Sequence, residues 1–439
     1  MFKPYAQIAD QIIEKIVKGD LPVGTRLPSQ RLFAYEHGIA NSTASRVYEE
    51  LGRRGFVIGE VGRGTYVTNR FTPIDASLQE PSTAELDLEI VFRLGSSAKE
   101  KISASTSRFF KKGIDTLDIA PPSVKADQNT SKILLDIMMA EDQYLQEGSL
   151  LLAGSGKEAI AASLSALAPR GGRIGVEALT YPFVIATARL LGIDLVSLPM
   201  DQEGIIPDAL DHEAAKGLDG IYLQPTLQNP LVLTMTNARR KEIANLLQKN
   251  DLIAIEDRVY DFLKPTKPIA FYAPDHVIQI NSLSKCFMPG LTIGLILAPS
   301  QLEENISISL KAGGWMAPKL SVALAKHWIE ESVVYSVANE KREEAKQMYK
   351  IAKKELAGLN FQGDPFALHG WLELPSYWRA ESFVTECAKL GIAIASGSVF
   401  AVSSGVSPKG VRIAFSAPNL QTWKFAMREL SKLIKKSPN

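Results

Sequence analysis

The run Val277-Ile278-Gln279-Ile280-Asn281-Ser282-Leu283-Ser284-Lys285-Cys286-Phe287-Met288-Pro289-Gly290 decides the reading of this chain. It opens on four residues rich in β-branched side chains, the composition of a short strand. It then turns polar, places two serines ahead of a lysine, and closes on Pro-Gly, a turn signal. A lysine just past the carboxyl end of a strand stands where open α/β sheets gather their ligand-handling groups. A lone loop lysine is ordinarily solvated, so the other strand ends decide what Lys285 means.

Working outward, short apolar runs recur at 172–176, 219–223, 252–255 and 292–298, with helical patterns at 157–168 and 236–249 between them. This alternation predicts a mostly parallel sheet covered on both faces. The run 252–255 is followed by Asp257 and Tyr260, the run 219–223 by Asn229, and the run 172–176 by Tyr181. Ala153-Gly154-Ser155-Gly156-Lys157 leads into the helical pattern at 157–168. A lysine, an aspartate, an asparagine, aromatics and a Gly/Ser helix start, all at strand ends, suit pyridoxal phosphate chemistry. A lysine amine condenses with an aldehyde once deprotonated. A carboxylate keeps a pyridine nitrogen protonated, an aromatic stacks on the ring, and a loop opening a helix offers free N–H groups to a phosphate. Taken singly, each residue has a plainer reading: Asp257 as a turn cap, Arg412 as one half of a surface ion pair, Cys286 as a small buried hydrophobe.

Together these residues resemble the fold type I aminotransferases of class I/II. The Ser-x-Ser-Lys-x-x-x-Pro-Gly pattern at 282–290 is the most specific part of the match. The resemblance implies an α/β PLP-dependent transferase-like fold, with Lys285 as the Schiff-base lysine and catalytic residue and Asp257 as partner of the pyridine nitrogen. It implies Asn229 and Tyr260 on the cofactor's phenolic oxygen and Tyr181 stacked on the ring. Ser155, Gly156, Ser282 and Ser284 would hold the phosphate. Gly410-Val411-Arg412-Ile413-Ala414 resembles the segment whose arginine grips a substrate carboxylate, so Arg412 takes that role. Three positions depart from the family. Thr292 stands where an arginine ordinarily binds the phosphate, Leu231-Val232 follow Asn229-Pro230 in place of Thr-Gly, and Ala153 replaces a threonine. Loss of a charge-assisted phosphate contact costs about 1.5–3 kcal/mol, and Lys157 could supply a compensating charge. Residues 140–152 look compressed, without a clear helix before Ala153.

The first 70 residues have another character. Tyr5, Ile8, Ala9, Ile12, Ile13 and Ile16 line one helical face. Gly19 and Pro22 end that helix, and Ser29 can cap a second short one. A third helix from Asn41 has Ala44, Val47, Tyr48 and Leu51 on its apolar face. Two β-rich runs around Gly62-Arg63-Gly64 predict a hairpin. Three helices and a hairpin are the parts of a winged helix-turn-helix. The segment holds ten basic and seven acidic residues, +3, while the whole chain is +1. Tyr5-x-x-Ile8, Leu27-Pro28-Ser29-x-Arg31, the third helix and Gly62-x-Gly64-Thr65-x-Val67 resemble the GntR family of bacterial regulators. That resemblance implies DNA contacts from Ser29, Arg31, Asn41, Ser42, Thr43, Ser45, Arg46, Gly62, Arg63 and Gly64. Arginine is bidentate toward phosphate or guanine, and glycine lets a wing approach closely. Ala40-Asn41 stand where the family has Ser-Arg, so Asn41 either reads a base or caps the third helix.

The 439 residues exceed one ordinary core, which stops growing near roughly 250–300 residues. We expect a winged helix-turn-helix at 1–70, a polar linker at 71–90 and an aminotransferase-like body at 91–439. A charge near zero excludes a uniformly basic nucleic-acid binder but not a basic module on a neutral body. Two cysteines exclude a disulfide framework, and five scattered histidines argue against a metal site. No apolar run reaches the roughly 18 residues that span a bilayer. The N-terminus lacks a signal-peptide core, giving an expectation of a cytoplasmic protein. The two modules together resemble the MocR subfamily, over essentially the whole chain. This implies a homodimer that binds double-stranded operator DNA and responds to pyridoxal 5'-phosphate or to an amine or amino-acid effector. Three functions remain open: a regulator sensing through the cofactor, a regulator with a cofactor-free body used for dimerisation, and a true aminotransferase.

Overall fold

The computed structural model describes residues 4–22, 24–53, 56–60, 64–67, 84–92, 95, 97–138, 150–402 and 408–436. In the N-terminal module, α1 (Pro4–Lys18) buries Ala9 and Ile12. Gly19 ends it at φ +87°, where a side chain would be strained. The α2 helix (Gln30–Glu36) is capped by Ser29, whose Oγ accepts from the Leu32 N–H at 3.2 Å, as the sequence predicts. The α3 helix (Asn41–Arg53) turns Ala44, Val47, Tyr48 and Leu51 into a core shared with Phe33, Val57 and Val67. The Tyr48 hydroxyl donates to the Pro28 carbonyl at 2.7 Å and ties α3 to the start of α2. Strands β1 (Val57–Glu60) and β2 (Gly64–Val67) pair antiparallel, Val57 opposite Val67. The expected hairpin is therefore present, although Gly62 and Arg63 lie outside the described residues.

The linker expected at 71–90 needs correction. Leu86–Leu88 form β3, parallel to β15 (Ile392–Ser396), with Leu86 and Leu88 buried against the body. The short pattern Leu-x-Leu is too brief for periodicity to separate it from loop, and its partner lies some 300 residues away in sequence.

The body follows the expected alternation. Its strands are β4 (Leu150–Ala153), β5 (Arg173–Glu177), β6 (Asp194–Leu198), β9 (Gly220–Leu223), β10 (Ala254–Asp257), β11 (Val277–Ser282) and β12 (Gly294–Leu297). A small hairpin of β7 (Met200–Asp201) and β8 (Gly204–Ile205) stands apart. Among the described residues the large sheet runs β4-β12-β11-β10-β9-β5-β6, with β12 antiparallel to both neighbours and the rest parallel. Alternate side chains enter different cores: Leu151 and Ala153 face one, Leu150 and Leu152 the other. That burial on both faces is why these strands read as unbroken apolar runs. Residues 139–149 lie outside the described residues, so the expected compression there has no structural counterpart.

A second sheet orders β13 (Phe361–Gln362), β14 (His369–Glu373), β16 (Gly410–Ala414), β15 and β3. Helices Val333–Glu355 and Leu420–Ile434 pack on it. Trp423 is fully buried there and its Nε1–H donates to the Met348 carbonyl at 2.8 Å. Trp423→Ala should cost about 3–5 kcal/mol, read as a lowered urea midpoint; a shift near zero would mean this sheet's core does not limit stability.

Candidate functional site

Four parallel strands deliver their last residues to one place. Lys285 follows β11 on the four-residue helix Leu283–Cys286, opened by Ser282 as N-cap. Its Nζ donates to the Val91 carbonyl at 2.8 Å. Lys341, buried on helix Val333–Glu355, donates to the Lys285 carbonyl at 2.8 Å and to the Phe287 carbonyl at 2.6 Å, fixing the short helix from behind. Burial, helped by Arg412, Lys341 and Lys157, pushes the Lys285 amine down to about 7. The sign follows directly. The neutral amine, the nucleophilic form, dominates above pH 7 instead of above the usual lysine range. Condensation of Lys285 with added pyridoxal phosphate should therefore reach its plateau rate just above pH 7. A rate still climbing tenfold per unit at pH 9 would contradict this.

Asp257 closes β10. Its Oδ2 accepts from the Tyr222 hydroxyl at 2.7 Å and from Gln224 Nε2 at 2.8 Å, and its Oδ1 from the Val259 N–H at 3.1 Å. Burial raises its carboxyl while these three donors oppose the rise. A buried carboxylate held by donors suits a protonated ring nitrogen. Arg412 on β16 is buried. Its Nη1 donates to Asn229 Oδ1 at 3.1 Å, its Nη2 to the Glu89 carbonyl, and its Nε has no hydrogen-bond partner among the described residues. The guanidinium lies 5.0 Å from the Phe400 ring. An unsatisfied guanidinium edge is what a carboxylate would fill. Tyr181 and Tyr260 share the same field: burial raises both hydroxyls, and Asp257 and Arg412 act on each.

The residues expected to hold a phosphate gather where the helix Gly156–Leu167 meets β11. Ser155 caps that helix, its Oγ accepting from the Glu158 N–H at 3.2 Å. A Cβ on Gly156 would stand 3.1 Å from Ser282 Oγ, so any larger residue would press Ser282 outward. Ser282 and Ser284 hydroxyls are 2.6 Å apart. Lys157, exposed in the helix's first turn, sets its Nζ 5.2 Å from the Phe183 ring. Thr292 turns its Oγ1 to the Ile293 carbonyl at 3.4 Å and brings no charge. Helix N–H groups, three serine hydroxyls, an aspartate, a neutral lysine and an open guanidinium edge fit pyridoxal phosphate; the fit lacks the usual arginine.

The sequence-predicted residues of the body thus converge, with one difference. Asn229 faces Arg412 as an acceptor, so its reach toward a phenolic oxygen stays an expectation. Several neighbours went unread in the sequence. Tyr222 and Gln224, one within and one just after β9, were signalled only by their place at a strand end. His369, 5.6 Å from the Tyr260 ring and held by burial at about 3, is neutral. Lys341, Glu89 and Val91 gave no signal, since each lies far from the site in sequence.

On the N-terminal module, Arg31, Asn41, Ser42 and Arg46 are exposed. The Thr43 and Ala44 N–H groups of α3 donate to the Ala40 carbonyl, and Asn41 is the first residue of the helix, so its reading of a base stays an expectation. Thr43 is half-buried, as is Ser45, whose hydroxyl donates to Glu49 Oε1 at 3.2 Å. Gly64 has φ +120° beside the Arg26 side chain.

Known proteins show the same two parts. The family model for aminotransferases of class I and II matches residues 138–430. The model for gntR-family bacterial regulatory proteins matches residues 4–67. The uncharacterized HTH-type transcriptional regulator YdeF of Bacillus subtilis is 27% identical over 425 residues, covering 94% of this chain and 90% of that one. The vitamin B6 salvage pathway transcriptional repressor PtsJ of Salmonella typhimurium is 24% identical over 429 residues, 94% of each chain. The crystal structure of Pyrococcus horikoshii kynurenine aminotransferase superposes with a TM-score of 0.72 at 20% identity, over 81% of this chain and 91% of that one.

Proposed function

From the fact that this chain belongs to the class I and II aminotransferase family and carries a gntR-type module ahead of it, we propose that it is a DNA-binding transcriptional regulator whose body takes up pyridoxal 5'-phosphate as part of a sensor. The carrying observation is the meeting of a buried neutral lysine, a donor-held aspartate and an open arginine edge in a body joined to a DNA reader. When bound, the cofactor supplies an aldehyde and an electron-withdrawing ring. Lys285 offers its amine, Asp257 holds a proton on the ring nitrogen, and Tyr181 covers one ring face. Ser155, Ser282, Ser284 and Lys157 grip the phosphate, and Arg412 receives a carboxylate from an amino-acid or related amine effector.

In the N-terminal module, Arg31 and Arg46 provide charge to the DNA, and Asn41 and Ser42 meet base edges in the major groove, with the wing beside them. Two copies would read a paired operator, as a homodimer in the cytoplasm. Among the described residues no helix is long and apolar enough to cross a membrane. Relatives bearing regulator names across 94% of this chain support regulation over turnover. The uncharged Thr292 keeps one second reading alive, a cofactor-free body serving dimerisation. An absorption spectrum with and without added pyridoxal phosphate, followed by binding to DNA upstream of its own gene, separates them. Visible absorbance with altered DNA affinity supports the sensor, and protein that stays colourless at saturating cofactor rejects it.

A further inference from the structure

The segment arriving from the DNA reader runs through the site. After β3, residues 89–92 cross in front of the two groups that a ligand must reach, the Lys285 amine and the Arg412 guanidinium. The Glu89 carbonyl accepts from Arg412 Nη2, and the Val91 carbonyl from Lys285 Nζ at 2.8 Å. The span is pinned at both ends. Leu86–Leu88 are hydrogen-bonded to β15, and the Ser416 hydroxyl donates to the Asp87 carbonyl at 2.9 Å. Downstream, the Ser97 hydroxyl donates to Glu340 at 2.8 Å. Among its described residues the strap's N–H groups donate within the segment, Glu89 and Ile90 to Asp87 Oδ1 and Phe92 to the Ile90 carbonyl. Ile90 and Phe92 are 40% and 42% exposed, Glu89 is half-buried and Val91 is buried. Beneath it lies a cavity lined by Val91, Phe92, Lys285, Lys341, Leu368 and Phe415. Lifting the strap therefore uncovers little packed surface.

We propose that residues 89–92 are an autoinhibitory strap, and that a ligand displaces it carbonyl by carbonyl. The inference rests on the reading of Lys285 and Arg412 as ligand-gripping groups. When an aldehyde takes the neutral Lys285 amine, the C=N bond forms and water leaves, carrying the aldehyde oxygen and both amine hydrogens. The nitrogen then has no N–H for the Val91 carbonyl. A carboxylate arriving at Arg412 takes a donor from the Glu89 carbonyl in the same way. Both losses fall on one four-residue span, and that span continues through β3 toward the reader. The reader is thereby joined in sequence to the stretch of chain whose hydrogen bonds ligand occupancy removes.

The test uses the full chain with pyridoxal phosphate alone as the probe. Val91→Gly removes the strap's inward anchor without touching a ligand-gripping group. The Val91 carbonyl stays in the variant, but without its packed side chain its hold on Lys285 weakens, so cofactor capture should tighten about tenfold, the most that one competing hydrogen bond contributes. Ligand-free Val91→Gly should also show the DNA affinity of cofactor-loaded wild type. Should that variant fold poorly, amide exchange on the wild type answers the question: exchange across 89–92 should accelerate on adding the cofactor. Capture at wild-type strength, or exchange across 89–92 that slows or does not change, overturns the strap. Failure of the underlying reading looks different, because wild type would then stay colourless with the cofactor.

Discussion

Alanine at Lys285 should abolish the visible absorbance that pyridoxal phosphate gives with the wild-type protein, and borohydride should then fix no cofactor to the chain. Lys285 is the lysine whose amine burial and three neighbouring cations hold at about 7, so it is the one poised to react near neutrality. Lys341 is also buried, but its Nζ is committed to two backbone carbonyls. With the covalent tie gone, the cradle of Ser155, Gly156, Ser282 and Ser284 and the Asp257 carboxylate remain. Residual binding should be reversible and about 100-fold weaker, ~2.7 kcal/mol. Equilibrium dialysis gives the affinity, and mass spectrometry after reduction finds the modified residue. Cofactor fixed at another lysine in the alanine variant would show that the site has been misassigned.

The second large effect falls on DNA. Arg31→Ala with Arg46→Ala removes two exposed arginines from α2 and α3. A base-reading arginine contributes about 1–3 kcal/mol, and each lost phosphate contact lowers the salt slope by about 1. The pair should therefore weaken operator binding by at least ~100-fold and flatten its salt dependence. Folding stability should move by no more than about 0.5 kcal/mol, since neither side chain is buried. Anisotropy titrations at two salt concentrations measure both quantities. An unchanged affinity and slope would mean that the winged module makes other contacts than DNA contacts.

Much of this was legible in the sequence, for definable reasons. The strands at 172–176, 219–223, 252–255 and 277–280 are buried on both faces and so are continuously apolar. Their ends carry functional side chains because the sheet's geometry puts ligands there. Lys285 and Asp257 were read in this way, and Arg412 from the resemblance of Gly410–Ala414 to a family segment. The α3 helix was legible from spacing, since a helix packed on one side repeats its apolar residues at three and four. What stayed hidden depends on pairings across long sequence distances. Leu86-Asp87-Leu88 looks like linker until Ile392-Ala393-Ile394 lies beside it. Lys341 looks like one more helical lysine until the helix Val333–Glu355 turns it onto the carbonyls of 285 and 287. Backbone acceptors such as the Val91 carbonyl carry no sequence signature at all.

The pairing of β3 with β15 also bears on how the protein is made. The reader's core, among the described residues, comes from residues 5–67, so it can close soon after leaving the ribosome. Strand β3 follows at once but has no edge to join until about 300 more residues have been synthesised. Contacts of such high sequence separation form late, because loop closure must precede them. Any product cut short before residue 392 would therefore carry a finished DNA reader on an unseated strap. Any product lacking the N-terminal region would instead leave β15 with a bare edge, a template for strand addition by other chains. The quality of a nascent regulator is thus checked at its last strands, and the reader comes under ligand control only when the small sheet is complete.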